Sequence, residues 1–166
     1  LEEEKFDLKN FEGQPVITEG EYIITGPGGI FFNSTKKLIK LFDGFYYGCS
    51  KYDERWYSVT RASRNYHGNH LLSFKIQDSG LAYQTRIELR NLPEGCHQID
   101  FIGKDLFITD TYNNRILVFN PITKKIVKEY YPAGKLMNGR LSGNYTHCNS
   151  IFSGNNINYL LFHNET

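Results

Sequence analysis

A chain of 166 residues with a formal charge of +1, 40% hydrophobic and 15% aromatic residues has the composition of one folded domain, and it excludes the disordered class, which combines low hydrophobicity with high net charge. No cationic run is longer than Lys36-Lys37 or Lys124-Lys125, so nucleic acid is disfavoured as a partner. No apolar run nears the ~20 residues of a membrane span, and the acidic opening LEEEKFDLKNF does not read as a signal peptide; the expectation is a soluble chain of unspecified compartment.

The first partial unit, about 15–43, carries strand-like runs at 22–25, 30–32 and 37–42. Its Gly26-Pro27-Gly28-Gly29 is a turn rather than a phosphate loop, because no Lys-Ser/Thr follows it and no helix opens after it. The second unit, about 44–91, opens at Gly48-Cys49 and turns at Asp53-Glu54-Arg55. It continues as a strand at 56–60, an irregular polar stretch at 61–69 and a strand at 70–76.

The third unit, about 95–141, is the most legible. A β-prone run at 97–102, the turn Gly103-Lys104-Asp105 and a run at 106–109 make a hairpin. The segment DTYNNR, 110–115, then breaks the pattern with residues that tolerate left-handed backbone or bond locally to it. A third strand follows at 116–119, and Asn120-Pro121 ends it. The run at 125–131 alternates charged and apolar residues, as an outer strand facing water requires. The fourth partial unit, about 145–166, repeats the first two strands at 145–152 and 158–162 around the turn 153–156.

Anchored on Gly48, Gly95 and His147, the units recur about every fifty residues, the length of a four-stranded propeller blade. A meander cannot bury both faces alone, so neighbouring copies must stack. The expected fold is an all-β β-propeller of four-stranded antiparallel blades, with the whole chain, 1–166, as a single propeller segment; an antiparallel sandwich is the alternative. Phe107, Ile116, Val118, Trp56, Leu72, Phe74, Leu160 and Phe162 are the side chains expected between sheets.

The motifs GCHQI, LFITD and TYNNRILVFNP, spanning 95–121, resemble an NHL-repeat blade, whose pattern ends in an Asp, a short polar loop, an Asn-Arg-Ile step and an apolar strand. The other units follow more loosely: Thr60 or Arg61 stands where Asp110 stands, and His163 lies near the end of the last strand. Two fuller and two partial units are too few to close a ring of ~4 to 8 blades. The expectation is an incomplete ring, finished by a longer chain or by self-association.

In such a ring the first strands line a central channel. His97 and His147 precede the inner strands of consecutive units, and two imidazoles from adjacent blades, with a third ligand, suit a divalent metal such as zinc. The resemblance extends to the amidating lyases for peptidyl-hydroxyglycine, NHL-type propellers that hold a metal with histidines from several blades. It implies that role for His97 and His147, while Ser50 stands at the aligned place in the second unit. Cross-strand hydrogen bonding is the structural reading of the same histidines.

Cys49, Cys96 and Cys148 form neither an even disulfide set nor a CxxC pair, and read as small buried hydrophobes. Asp110 is either a general base or the residue that holds the turn into the third strand. In the polar loop, Arg61, Arg64, Asn65, Tyr66 and His67 suit an acidic or sugar-like ligand at the rim. The sequons at Asn33, Asn144 and Asn164 read as chance matches. Two functions follow: a module that binds a protein, small-molecule or sugar ligand, or a metal-dependent hydrolase or lyase of the six-bladed propeller type. The preference goes to the first, because no complete ligand set or acid/base pair can be assembled.

Overall fold

A computed structural model describes residues 21–34, 37–61, 68–132, 146–154 and 157–164. Among them are thirteen strands and no α-helix. β1 (Tyr22–Gly26), β2 (Gly29–Asn33) and β3 (Leu38–Phe42) form one sheet. β4 (Tyr46–Tyr52), β5 (Arg55–Thr60), β6 (Asn69–Ile76) and β7 (Ala82–Leu92) form the second, in that order. The third comprises β8 (Cys96–Ile102), β9 (Asp105–Asp110), β10 (Arg115–Asn120) and β11 (Lys125–Tyr130), and the fourth β12 (Thr146–Gly154) and β13 (Ile157–Asn164). All pairings are antiparallel between strands adjacent in sequence, so each sheet is a meander. In the third unit the four expected strands lie within one residue of the observed bounds.

The sheets stack face to face because each strand offers apolar residues to both sides. Successive residues point to opposite faces: Leu117 and Phe119 of β10 join the cluster shared with the second sheet, while Ile116 joins the one shared with the fourth. Ile30, Leu72 and Phe74 fill the interface of the first and second sheets, where Phe42 meets Phe74 edge-on at 5.1 Å. Val59, Leu71, Ile99, Leu106 and Ile108 fill the next interface. Ile116, Cys148 and Ile151 fill the third. Among the described residues three interfaces thus join four sheets in a row, an incomplete ring of blades.

β4, β8 and β12 lie side by side as the inner strands of their blades. β1 contacts β4 as β5 contacts β8 and β9 contacts β12, so β1 holds the place of a second strand and β1 to β3 are the outer three of their blade. The short links 43–45 and 93–95 then carry the chain from an outer strand to the next inner one.

Burial departs from expectation at Trp56 of the second blade, Phe107 of the third and the fourth blade. Ile116, Val118, Leu72 and Phe74 are buried, but Trp56, Phe107 and Leu160 are half-buried and Phe162 is exposed. β13 has no third strand beside it among the described residues, and the outward face of its sheet leaves Phe152, Ile157, Tyr159 and Leu161 exposed. Asn33 of the first sequon is fully buried in β2, which closes it to glycosylation in the folded chain.

Candidate ligand-recognition face

Strand ends define two faces of the blade row. The upper face carries the links 43–45 and 93–95 and the β5–β6 and β9–β10 connections; the lower face carries the β4–β5, β6–β7, β8–β9 and β10–β11 turns. The upper face of the third blade is held by Asp110. Its fully buried carboxylate accepts hydrogen bonds from Asn113 Nδ2 at 2.9 and 3.0 Å and from Arg115 Nε at 2.7 Å. The chain turns through a 3-10 segment, Thr111–Asn113, and then through Asn114 at φ 48°, a left-handed position where Asn costs least among non-glycine residues. Thr111 N–H donates to the Gly95 carbonyl at 2.8 Å, and a Cβ on Gly95 would stand 2.5 Å from Tyr112 N, so only glycine allows this approach. Asp110 therefore acts as the holder of the turn.

The loop also ties the third blade to the fourth. Thr111 Oγ1 donates to the Cys148 carbonyl at 2.8 Å and Thr109 Oγ1 lies 3.2 Å from the Asn149 carbonyl. In the second blade, Thr60 and His70 pair across the strands as Asp110 and Arg115 do, with His70 N–H donating to Thr60 Oγ1 at 3.0 Å. Burial, then the Arg90 charge, lower the His70 pKa against the backbone hydrogen bond at Asn69.

Strand register aligns the blades differently from the sequence anchors. Each inner strand pairs its last residue with the residue three positions on, so equivalence is counted back from Tyr52, Ile102 and Gly154. His97 is then equivalent to Tyr47 and Asn149, not to Ser50 and His147; Cys96 is equivalent to Cys148 and Tyr46, while Cys49 matches Ile99. Residues in equivalent or adjacent places meet between the inner strands. Ser50 Oγ donates to Asp100 Oδ1 at 2.9 Å, and the Ser153 N–H lies 3.4 Å from Asp100 Oδ2, linking three inner strands. A Cβ on Gly48 would meet Gln98 Oε1 at 2.7 Å and Ile99 N at 2.9 Å, so this glycine lets β4 and β8 close up.

The most continuous feature of the upper face is a band of rings. The Arg61 guanidinium lies 5.4 Å from the Phe45 ring centre, Phe45 meets Tyr47 at 5.0 Å, Tyr47 meets His97 at 4.4 Å and His97 meets Tyr112 at 6.0 Å. Arg61 and Tyr112 at its ends are exposed, and Phe45, Tyr47 and His97 between them are half-buried. The band brings together two places named from sequence, the start of the polar loop and the channel histidine of the third blade. Arg64, Asn65, Tyr66 and His67 lie outside the described residues, and so does the side chain of His147. Sequence reasoning missed Phe45, Tyr47 and Tyr112 as members of a site, although GFYYGC and DTYNNR set aromatic residues beside two of the connections that face upward.

The thiols are poorly suited to nucleophilic chemistry. Burial pushes Cys148 up to about 11 and raises Cys49 and Cys96 further, with the Asp110 charge adding to the shifts of Cys96 and Cys148. Among the described residues no group of three or more His, Cys, Asp or Glu side chains stands close enough to hold a metal ion. No helix among the described residues is long and apolar enough to cross a membrane.

No family model matches the sequence, and no curated protein matches it. The fold is similar to that of the glutaminyl cyclase of Myxococcus xanthus, with a TM-score of 0.50 and 14% identity, over 87% of this chain and 66% of that one. The chain thus spans 66% of the length of that protein, a β-propeller. At this identity the likeness concerns the fold: the chain is an all-β row of antiparallel propeller blades.

Proposed function

We propose that the chain is a binding module built from NHL-like propeller blades, and that its upper face recognises an acidic, aromatic-bearing segment of a partner protein. The observation that supports this is the unbroken band from Arg61 through Phe45, Tyr47 and His97 to Tyr112. Rings packed edge-on and tilted against one another form a continuous, partly apolar strip at little conformational cost. A guanidinium at one end adds a fork that carboxylates match. Loops on a rigid β scaffold are where recognition usually resides, because they vary without disturbing the core.

A peptide array probed with the purified chain tests this reading. Bound sequences are expected to place Asp or Glu near an aromatic residue, and binding is expected to fall on Tyr47→Ala, Tyr112→Ala and Arg61→Ala while the melting curve holds. Binding indifferent to all three variants would sink it. Stoichiometric zinc bound by the wild-type chain and lost on His97→Ala and His147→Ala would move the reading to the metal-dependent hydrolase or lyase.

A further inference from the structure

The lower face carries a groove of about 850 Å³ between the first and second blades, away from the ring band. Its wall holds Trp56, half-buried, with the rest of the indole packed against the apolar cluster shared by these blades. Over the ring stands the exposed Lys51, its Nζ 5.4 Å from the ring centre. Tyr83 is a second half-buried aromatic of the lining. Buried Phe32 and half-buried Ile39 close the first-blade side, where Gly80, at φ +83°, fits because it lacks the Cβ that would clash with Ile39 Cδ1.

The charges around the groove decide what it can take. Lys37, Lys51 and Lys75 are matched by Glu21, Glu54 and Asp78, and Lys75 is closed onto Glu54 at 2.7 Å. A simple anion or cation gains nothing from a lining that carries equal numbers of both signs, and a purely apolar ligand would strip water from six charged groups without replacing it. The fitting chemistry is a neutral ring with an apolar C–H face for the indole and a rim of hydroxyls. Each hydroxyl both donates and accepts, so it can bond lysine, carboxylate and amide alike. Gln77, Ser79 and Ser34 add such groups at the edge. We infer that this groove is a saccharide-binding site in which a sugar ring takes the place of the exposed Lys51 ammonium over the Trp56 indole, with Tyr83 beside it and Lys51, Glu54 and Asp78 as hydroxyl partners.

Trp56 is the sole tryptophan of the chain, so its emission reports on this groove alone. Neutral trisaccharides of glucose, xylose and N-acetylglucosamine are titrated with the purified chain while emission and acrylamide quenching are followed. At least one is expected to shift the emission saturably and shield Trp56, with affinity about tenfold weaker in Tyr83→Ala and in Asp78→Asn. Tyr47→Ala on the opposite face is expected to leave the titration unchanged, which separates this site from the proposed peptide face. Melting curves of Asp78→Asn, an exposed position, guard against loss of fold. No saturable change with any of the three sugars overturns the assignment. So does a response to inorganic phosphate or spermidine alone, or a sugar response that survives both groove variants.

Discussion

Replacing Asp110 by Ala tests whether the third blade depends on its buried carboxylate. The carboxylate is fully buried and receives Arg115 Nε at 2.7 Å and Asn113 Nδ2 at 2.9 and 3.0 Å. Removing one member of a buried, hydrogen-bonded pair costs ~3 to 5 kcal/mol, because the other charge is left without compensation. Arg115 retains Glu129 at 3.2 Å and a side chain 22% exposed, so water and the second carboxylate recover part of that loss. The expected cost is therefore near the lower end, about 3 kcal/mol, or roughly 6 to 12 °C in Tm for a chain of this size. Urea denaturation followed by circular dichroism measures it, alongside Arg115→Ala and the double variant. The double variant is expected to cost less than the sum of the singles by ~1 to 3 kcal/mol, since the interaction can be lost only once. A cost below ~1 kcal/mol for Asp110→Ala, or strict additivity in the cycle, would refute the role given to this residue.

Leu106→Ala, in the interface of the second and third blades, is expected to cost ~2 to 5 kcal/mol, whereas Phe162→Ala on the exposed part of β13 changes the urea midpoint far less. Gly95→Ala forces a Cβ against Tyr112 N, so a lowered Tm is expected, with the loss of ordered-loop protection around 110–114 visible in hydrogen exchange. The three thiols are expected to react slowly with a disulfide reagent at pH 8 and promptly once the chain is unfolded in urea, because burial holds all of them protonated. For His70 the folded pKa lies below the unfolded value of ~6.5. Its contribution to stability is thus complete above pH ~6.5 and declines as pH falls through it, since the unfolded chain takes up the proton first. Urea midpoints between pH 7.5 and 5 are expected to fall more steeply in the wild type than in His70→Gln; equal slopes would remove His70 as a cause.

The sequence by itself determined the strands of the third unit, the antiparallel order and the position of the polar connections, while β7 (Ala82–Leu92) had no bounds in that reading. Period-two patterning and turn residues act over a few positions, so the hairpins of the third unit are readable from CHQIDFI, DLFITD and RILVFN alone. The demand that a meander bury both faces implied stacking into blades before any contact was known. Register between blades was beyond that reading. Whether Tyr47 or Ser50 stands opposite His97 depends on counting from the lower turns and on bulges within β4, β8 and β12, and these are settled by packing between sheets. For the same reason the ring band and the saccharide groove were not legible. Their members come from different strands and connections, and what assembles them is the face-to-face approach of neighbouring blades, a long-range contact that no local pattern encodes.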